Sequence, residues 1–282
     1  MSPDPSAWPK EYTYTLKHRR TTLHFQAPLA EHTRAALERL VERARVPGAK
    51  RISAPLDCER SLLFAKREQL DSLKKKWRVQ RGAARSDGTY DWAVEEIINT
   101  HKAYQRGAPV PELVGFGYTR SRLGLVQDLF VITRLLQGYS DGLSVLQQDP
   151  SSVYRVLDAS TELMFSLHKQ GITHMDLWAG NVMLCDSQAG APVAIDLENS
   201  FFVPSAFASE TLGFQFGFLY LREIYRYITE AKYDAWVDIA LSNFAPEIDK
   251  AAFRRVYEYA KHEHIGRLDR REIFLTGQVA GC

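Results

Sequence analysis

The stretch from Leu167 to Ser200 constrains the fold of this chain more than any other. It reads LHKQGITHMDLWAGNVMLCDSQAGAPVAIDLENS. His174, Asp176 and Asn181 fall in one short loop, and Asp196 follows a second apolar run. The pattern predicts a loop, a strand, a turn and a second strand that ends in an acidic residue.

The two apolar runs of this stretch predict a β-hairpin. Met183-Leu184 and Ala194-Ile195 bracket the turn sequence at 186–190, DSQAG, whose polar and small residues are typical of hairpin turns. Such a hairpin would bring Asn181 and Asp196 to neighbouring strand ends. The competing interpretation is two unrelated turns, since Asp and Asn often bond to local backbone.

These residue types suit phosphoryl transfer. That reaction needs a carboxylate to orient the attacking hydroxyl group, a role for Asp176, and oxygen ligands for magnesium, a role for Asn181 and Asp196. The order His-x-Asp-x-x-x-x-Asn, with Asp after the next strand, resembles the catalytic and metal-binding loops of the protein-kinase-like fold.

Length and composition are those of a soluble globular protein. With 282 residues, 45% of them apolar, the chain can bury a core as one large domain or two lobes. Cys58, Cys185 and Cys282 have no paired spacing and no nearby histidines, which favours free thiols in a reducing compartment. No run approaches the roughly 20 apolar residues of a membrane span. We therefore expect a cytoplasmic location.

Charge is distributed unevenly along the chain. Residues 1–107 carry 21 Lys and Arg against 13 Asp and Glu, a net charge of +8, and the remainder carries 15 against 21, a net charge of −6. A basic cluster runs from Lys74 to Arg85. It is either a solvated face or a surface that attracts the phosphates of a nucleotide, an anionic acceptor or a membrane.

The first part of the chain alternates strand and helix signals. A strand pair is expected over Tyr12 to Phe25, a helix over Glu31 to Arg45, a strand over Ser61 to Lys66 and a helix from Tyr90 to Gly107. A tight passage is expected at Pro109–Pro111 and Gly115–Gly117. Strands are then expected at 123–126 and 129–133, followed by a polar turn at 137–142.

Lys66 is a candidate nucleotide ligand. In a kinase-like fold, a lysine at this position contacts the α- and β-phosphates and pairs with a glutamate of the following helix. Glu96 is the preferred partner and Glu95 the alternative. A lysine at a solvated strand end and two solubilising glutamates are the competing interpretations.

The second part of the chain predicts a mainly helical region. A scaffold helix is expected from Pro150 to Leu167, and core helices are expected over Leu212 to Trp236. One last packed helix is expected around Phe253 to Tyr259, with a fraying tail from Gly277.

With these residues in place, the chain resembles the bacterial lipopolysaccharide core kinases, which phosphorylate heptose or Kdo sugars. The resemblance covers roughly residues 60–225 and lies in Leu63–Arg67, Gln105–Pro111, Phe130–Thr133, His174–Asn181 and Asp196. It implies an α+β, bilobal protein-kinase-like fold. Its parts are a smaller antiparallel sheet lobe with a helix (1–133), a hinge (134–142) and a larger helical lobe (143–282).

The resemblance also implies an activity and its cofactors. The γ-phosphate of ATP, bound with Mg2+, would pass to a sugar hydroxyl of the lipopolysaccharide core or a similar glycoconjugate. Asp176 would be the catalytic residue, Asn181 and Asp196 the metal ligands, and Lys66 and Glu96 the nucleotide-positioning pair.

Position along the chain implies three further roles. Arg134 and Leu136 would contact adenine through backbone groups, with Thr133 at the rear of the pocket. His174 would be a structural member of the loop.

Departures from the protein-kinase pattern favour a small-molecule or glycolipid acceptor. Met175 stands where regulated protein kinases carry an arginine, Trp178 where they carry a lysine, and Glu198 where they carry a glycine. No glycine-rich loop precedes Lys66, since residues 54–57 read only APLD.

Several alternatives stay open. One is a kinase for a small metabolite or an antibiotic, another is a catalytically silent scaffold, and a third is a protein kinase. No nucleic-acid partner is expected. Peripheral contact with the cytoplasmic face of the inner membrane, through Lys74 to Arg85, is one interpretation of the basic cluster.

Overall fold

The structure is a computed structural model that describes residues 8–43, 51–56, 62–85, 88–187 and 189–279. Internal contacts divide the chain into two units. Unit 1 comprises Met1–Gln105 and Pro111–Gln137, and unit 2 comprises Arg106–Val110 and Gly138–Cys282. The hinge predicted at 134–142 stays a prediction.

Unit 1 contains a six-stranded antiparallel sheet with the strand order β1-β2-β5-β6-β4-β3. Its strands are β1 Tyr14–His18, β2 Thr21–Phe25, β3 Arg51–Pro55, β4 Leu63–Gln69, β5 Leu113–Arg120 and β6 Val126–Arg134. Its helices are α1 Glu31–Glu42, α2 Leu73–Arg81 and α3 Trp92–Gln105.

The central strand β6 shows how the sheet separates two apolar cores. Leu129 and Val131 pack in the core that contains α3, whereas Phe130 and Ile132 pack in the core that contains α1. Successive side chains of a strand point to opposite faces, so an apolar run of this kind indicates a strand covered on both faces. The buried helix α3 thereby fixes the position of the acidic residues that it carries.

Glycines 115 and 117 were expected in a tight passage, but both lie inside strand β5. A Cβ on Gly117 would lie 2.1 Å from the carbonyl oxygen of Thr22, because β2 pairs directly alongside. The turn instead occupies residues 121–125, where Gly124 has φ of 79°. The strand predicted at 123–126 is therefore wrong, since β6 begins only at Val126.

Other expectations for unit 1 hold with shifted ends. The predicted strand pair is β1 and β2. Helix α1 ends at Glu42, and residues 44 and 45 lie outside the described ranges. The strand expected to end at Lys66 continues to Gln69. Of the three cysteines, only Cys185 is described, and it is a free thiol; Cys58 and Cys282 lie outside the described residues.

Unit 2 is mainly helical. Its helices are α4 Gly142–Gln148, α5 Val153–Lys169, α6 Ala208–Leu221, α7 Glu230–Phe244, α8 Lys250–His262 and α9 Arg267–Thr276. Its short strands are β7 Tyr139–Asp141, β8 Thr173–His174, β9 Val182–Cys185, β10 Val193–Ala194 and β11 Ser200–Phe201. They form a three-stranded sheet, β10-β9-β7, and a β11-β8 pair. The expected fold class, an antiparallel sheet with a helix and a mainly helical part, is confirmed.

Helix α6 is the central helix of unit 2, buried without a break from Thr211 to Tyr220. It packs closely on α8, because a Cβ on Gly213 would lie 2.4 Å from the carbonyl oxygen of Phe253. The core helices predicted over Leu212 to Trp236 are α6 and α7, separated by a short 3₁₀ turn at Ile224–Arg226.

The carboxyl-terminal part differs from the prediction in one respect. A single last helix was expected, and α8 corresponds to it, but a second helix, α9, follows. Within the described residues, no helix has the length and apolar character needed to cross a membrane.

Candidate active site

The hairpin predicted around residues 182–195 is present. Strands β9 and β10 are antiparallel, with Val182 opposite Ala194. The next backbone contact is a hydrogen bond of 3.1 Å from the N–H of Ile195 to the carbonyl oxygen of Asn181. Asn181 and Asp196 therefore stand at neighbouring strand ends, as the sequence predicted.

Asn181 is tied to the loop that carries Asp176. Its side-chain amide donates a hydrogen bond of 2.8 Å to the backbone carbonyl oxygen of Asp176. This bond uses the nitrogen of the amide and leaves its oxygen to other partners. Asp196 has φ of 65°, a left-handed conformation that aspartate tolerates better than most residues. Amide and carboxylate oxygens are ligands that Mg2+ accepts, so the donor set fits that ion.

His174 holds the loop from inside the core. The fully buried ring bonds to the carbonyl oxygen of Ile195 through Nε2 at 3.1 Å and accepts the N–H of Asp176 through Nδ1 at 3.2 Å. Burial lowers the pKa of His174, although the hydrogen bond to Ile195 and the charges of Asp176 and Asp196 oppose that shift. A neutral ring with a proton on Nε2 satisfies both bonds. The structural role expected for His174 is consistent with this geometry.

The carboxylate of Asp176 forms a buried ion pair. Nη1 of Arg270, on helix α9, donates to Oδ1 of Asp176 at 2.6 Å, and the side chains are 6% and 9% exposed. Nη2 of Arg267, one turn earlier on α9, lies 3.8 Å from Oδ2 of Asp176. The two arginines therefore fix the orientation of the carboxylate from one side.

Arg270 is itself held by contacts other than Asp176. Its Nε donates to the carbonyl oxygen of Ile265 at 2.9 Å, and its guanidinium lies 4.2 Å from the ring centre of Phe218. Burial lowers the pKa of Arg270, the Asp176 carboxylate raises it, and the nearby guanidinium groups of Arg222 and Arg267 lower it again. An arginine remains charged through such shifts, so Asp176 keeps a cationic partner.

Two residues that depart from the protein-kinase pattern also contact arginines. Glu198, buried in the 3₁₀ turn after Asp196, forms an ion pair with Arg267. The guanidinium of Arg222 lies 4.8 Å from the ring centre of Trp178. These departures therefore belong to the arginine-rich surroundings of Asp176.

In unit 1, Lys66 and Glu96 form a direct ion pair. Nζ of Lys66 donates to Oε1 of Glu96 at 2.5 Å, with side-chain exposures of 15% and 5%. Nη2 of Arg51 donates to the other oxygen, Oε2, at 3.3 Å. Glu95 instead accepts the N–H of Tyr90 at 2.7 Å. The partner of Lys66 is therefore Glu96, the preferred alternative of the two.

The contacts expected of Arg134 and Leu136 stay predictions. The N–H of Arg134 donates to the carbonyl oxygen of Glu112 at 2.9 Å, and its guanidinium pairs with the Glu112 carboxylate at 2.9 Å. That N–H is therefore engaged. Leu136 is partly buried, and the neighbouring Leu135 bonds through its N–H to the carbonyl oxygen of Leu62 at 2.7 Å.

Sequence reasoning missed the arginines that surround Asp176. Arg270 lies 94 positions from Asp176, on a helix that no motif marks. One signal was present: Arg270 precedes Ile273 and Phe274 by three and four residues, so it shares their apolar face. A charged residue on the buried face of a helix needs a partner, but its identity is not readable from spacing.

Comparison with known proteins gives one family match. The sequence model described as the lipopolysaccharide kinase (Kdo/WaaP) family matches residues 56–201, just over half of the chain. This span contains Lys66, Glu96, Asp176, Asn181 and Asp196. No curated protein matches the chain.

Solved structures with similar folds include three kinds of kinase. WaaP in complex with acyl carrier protein has a TM-score of 0.37 at 18% identity, over 72% of this chain and 88% of that one. The bifunctional kinase-methyltransferase WbdD has a TM-score of 0.42 at 15% identity, over 75% and 44%. A divergent Toxoplasma kinase lacking the glycine-rich loop has a TM-score of 0.46 at 13% identity, over 86% and 90%. This chain therefore spans less than half of WbdD.

Proposed function

Because this chain belongs to the lipopolysaccharide kinase (Kdo/WaaP) family and is thus a kinase, we propose that it moves the γ-phosphate of ATP to a sugar hydroxyl of the lipopolysaccharide core or a similar glycoconjugate. The observation that carries this proposal is the arrangement of the hairpin in unit 2. There, a hydrogen bond ties the Asn181 side chain to the backbone of Asp176, and strand pairing sets Asn181 beside Asp196.

Asp176 is the catalytic residue of the proposal. Its carboxylate orients the acceptor hydroxyl group and receives its proton as the new P–O bond forms. Arg270 donates to Oδ1 at 2.6 Å, whereas Arg267 lies 3.8 Å from Oδ2, beyond hydrogen-bond distance, so Oδ2 can accept the hydroxyl group. The ion pair with Arg270 prevents the side chain from turning away, which keeps the hydroxyl group aligned.

The remaining roles concern the nucleotide. Asn181 and Asp196 hold Mg2+, which when bound neutralises negative charge on the phosphates. Lys66 donates to the phosphates, and Glu96 holds the lysine side chain in place. Reaction by positioning and electrostatics alone needs no covalent intermediate on the protein.

The test is phosphoryl transfer by an Asp176→Asn variant. Transfer of label from γ-labelled ATP to a panel of core sugars should fall by at least about a hundredfold, while ATP binding stays near that of the parent protein. Asp186→Asn, in the exposed turn of the same hairpin, is the matched control and should transfer normally. Turnover that survives in Asp176→Asn would remove Asp176 from its role.

Helix α2 supports the finer proposal of peripheral contact with an anionic membrane surface. Val79 is buried, whereas Leu73 and Trp77 are 69% and 49% exposed, and Lys74 and Arg81 are exposed as well. At 100° per residue these four exposed residues share one face of the helix. Aromatic, aliphatic and basic side chains on one face are typical of helices that lie in a membrane interface.

Only part of the basic cluster can serve this contact. Lys75 pairs with Asp71 at 2.9 Å, and Arg78 pairs with Asp91 at 2.7 Å. The guanidinium of Arg81 lies 4.4 Å from the Trp77 ring centre. The proposed contact therefore involves the outward face of α2 and not the whole stretch from Lys74 to Arg85.

Sedimentation with lipid vesicles tests the membrane contact. The protein should bind vesicles containing phosphatidylglycerol and bind phosphatidylcholine vesicles weakly. Lys74→Glu should reduce binding severalfold, since each basic residue near an anionic surface contributes about 1 kcal/mol. Trp77→Ser should also reduce binding severalfold, since it removes an aromatic side chain suited to the membrane interface. Lys102→Glu, an exposed lysine of α3, is the charge-matched control. Equal binding by the Lys74→Glu and Lys102→Glu proteins would contradict the assignment to α2.

A further inference from the structure

Three arginines of unit 2 lie close together, and two of them, Arg267 and Arg270, contact Asp176. Arg267 and Arg270 come from helix α9, and Arg222 follows the last residue of helix α6. Arg222 and Arg267 are close enough to Arg270 for their charges to oppose its protonation. Like charges placed this close repel one another, so the arrangement requires compensating negative charge.

The available carboxylates account for two of the three arginines. Arg270 pairs with Asp176 and Arg267 pairs with Glu198. No carboxylate pairs with Arg222 among the residues that the structure describes. The positive charge of Arg222 is therefore left without a partner of opposite charge in the described chain, near the arginine that is bonded to Asp176.

Arg222 is nevertheless held in a defined position. Its guanidinium lies 4.8 Å from the ring centre of Trp178 and 5.7 Å from that of Phe218. The guanidinium of Arg270 lies 4.2 Å from the ring centre of Phe218, so both arginines contact the same ring. Contacts with ring faces orient a guanidinium without using its N–H groups, which remain available for hydrogen bonds.

We infer that Arg222 forms an anion-binding subsite next to Asp176, and that the acceptor is a sugar bearing a phosphate or carboxylate group near the hydroxyl that is phosphorylated. This inference rests on the proposed function, because it assigns the acceptor to the site of Asp176. A planar guanidinium binds either anion through two parallel N–H···O bonds. The anion would neutralise the third charge of the arginine group and place the hydroxyl at Asp176.

The subsite also gives Trp178 a role. A tryptophan two residues after the catalytic aspartate provides a flat face on which Arg222 rests. Binding of an anion to that guanidinium should change the fluorescence of the indole beneath it. Trp178→Phe keeps an aromatic face and removes this signal, which separates it from the other four tryptophans.

The experiment compares three probes: glucose 6-phosphate, glucuronate and glucose. The parent protein should bind the two anionic sugars, detected by calorimetry and by a fluorescence change that is absent in Trp178→Phe, and should bind glucose at least about tenfold more weakly. The two anionic probes distinguish a phosphate from a carboxylate as the preferred group.

Substitution of Arg222 gives the decisive comparison. Arg222→Gln should weaken binding of the anionic sugars by about tenfold or more. Arg222→Lys keeps the charge but not the planar guanidinium, so its affinity for these sugars should lie between those of the parent and Arg222→Gln. Arg226→Gln removes an exposed arginine that pairs with Glu223 and should bind like the parent. Thermal unfolding of each variant establishes that it is folded.

Two results would overturn the inference. One is equal binding of the anionic sugars by the parent and Arg222→Gln proteins. The other is a loss of Mg-ATP affinity in Arg222→Gln with unchanged sugar affinity, which would assign the arginine to the nucleotide. Neither depends on turnover. Failure of the proposed function would appear separately, as an absence of label transfer by the parent protein to every sugar.

Discussion

The two units each contain a buried ion pair at a proposed functional position, and the two pairs have opposite polarity. In unit 1 the proposed working group is the cation, Lys66, and Glu96 supports it. In unit 2 the proposed working group is the carboxylate, Asp176, and Arg270 supports it. The side chains are similarly buried, 15% and 5% exposed in the first pair and 6% and 9% in the second.

The supporting residues differ in chemistry as well as in charge. In unit 1, the two oxygens of Glu96 bind Lys66 and Arg51. In unit 2, the supporting residue is Arg270, whose guanidinium is held in place by Ile265 and Phe218. A lysine on a flexible stem can turn towards a phosphate while it stays near its carboxylate, but an arginine fork holds one orientation. The comparison indicates an adjustable cation in unit 1 and a fixed carboxylate in unit 2.

The largest expected effect follows from removal of the fixed support. Arg270→Leu should destabilise the protein by about 3–5 kcal/mol, because it leaves the Asp176 carboxylate buried without its partner. Urea unfolding measures this loss. Arg254→Leu leaves Asp238, a carboxylate that is 58% exposed, so it should cost much less and is the control.

A double variant sharpens this first test. Asp176→Leu combined with Arg270→Leu should recover part of the stability lost by Arg270→Leu alone, since no buried charge is then left unpaired. Additive losses would show that the two side chains are not coupled. The proposal that Arg270 supports Asp176 would then be contradicted.

The next effect concerns the adjustable cation. Lys66→Met should lower kcat for phosphoryl transfer by about a hundredfold or more, because the phosphates lose a positioned donor. It should cost less stability than Arg270→Leu, because Arg51 still pairs with the Glu96 carboxylate. Steady-state kinetics at saturating ATP measures it. If Lys66→Met lost stability as Arg270→Leu does, the lysine would be a structural residue and the contrast between the pairs would disappear.

Two adjacent glutamates allow a matched test of the support. Glu96→Gln should lower kcat by roughly tenfold, because Lys66 keeps a hydrogen-bond acceptor but loses the opposing charge. Glu95→Gln keeps an acceptor for the N–H of Tyr90 and should have little effect on transfer. The two variants differ by one position on the same buried helix, so equal losses of kcat would contradict the specific role of Glu96.

The smallest effect is a pH dependence expected from unit 2. Burial lowers the pKa of His168 to about 4 from an ordinary value of 6.5, although a hydrogen bond to Gln215 opposes the shift. The unfolded chain therefore binds a proton first as the pH falls, and stability should decrease as the pH falls from about 6.5 to 4.

Urea unfolding at pH 7 and pH 5 measures this dependence. His168→Gln removes the titrating group, so its stability should change less between the two pH values than that of the parent. His32→Gln, an exposed histidine of α1, is the control and should keep the parent's slope. A steeper slope in His168→Gln would contradict the neutral state of His168.

Local patterns accounted for much of unit 1 and for the hairpin of unit 2. Met183-Leu184 and Ala194-Ile195 predicted the pairing of β9 and β10, because a short turn leaves adjacent strands few alternatives. The resemblance to the kinase fold implied a pairing of Lys66 with Glu96 or Glu95, and the preferred partner, Glu96, is the one observed. Gly115 and Gly117 were wrongly predicted to mark a tight passage, since a strand also tolerates glycine where a neighbouring strand approaches closely.

The sequence by itself determined that the amide of Asn181 and the carboxylate of Asp196 would stand at neighbouring ends of one hairpin, because residues close in sequence have few ways to arrange themselves. Only the tertiary structure decided that helix α9 would bring Arg270 to Asp176 and that Arg222 would rest on Trp178. Contacts between residues so far apart in sequence depend on the packing of the whole helical core, and no local pattern encodes that packing.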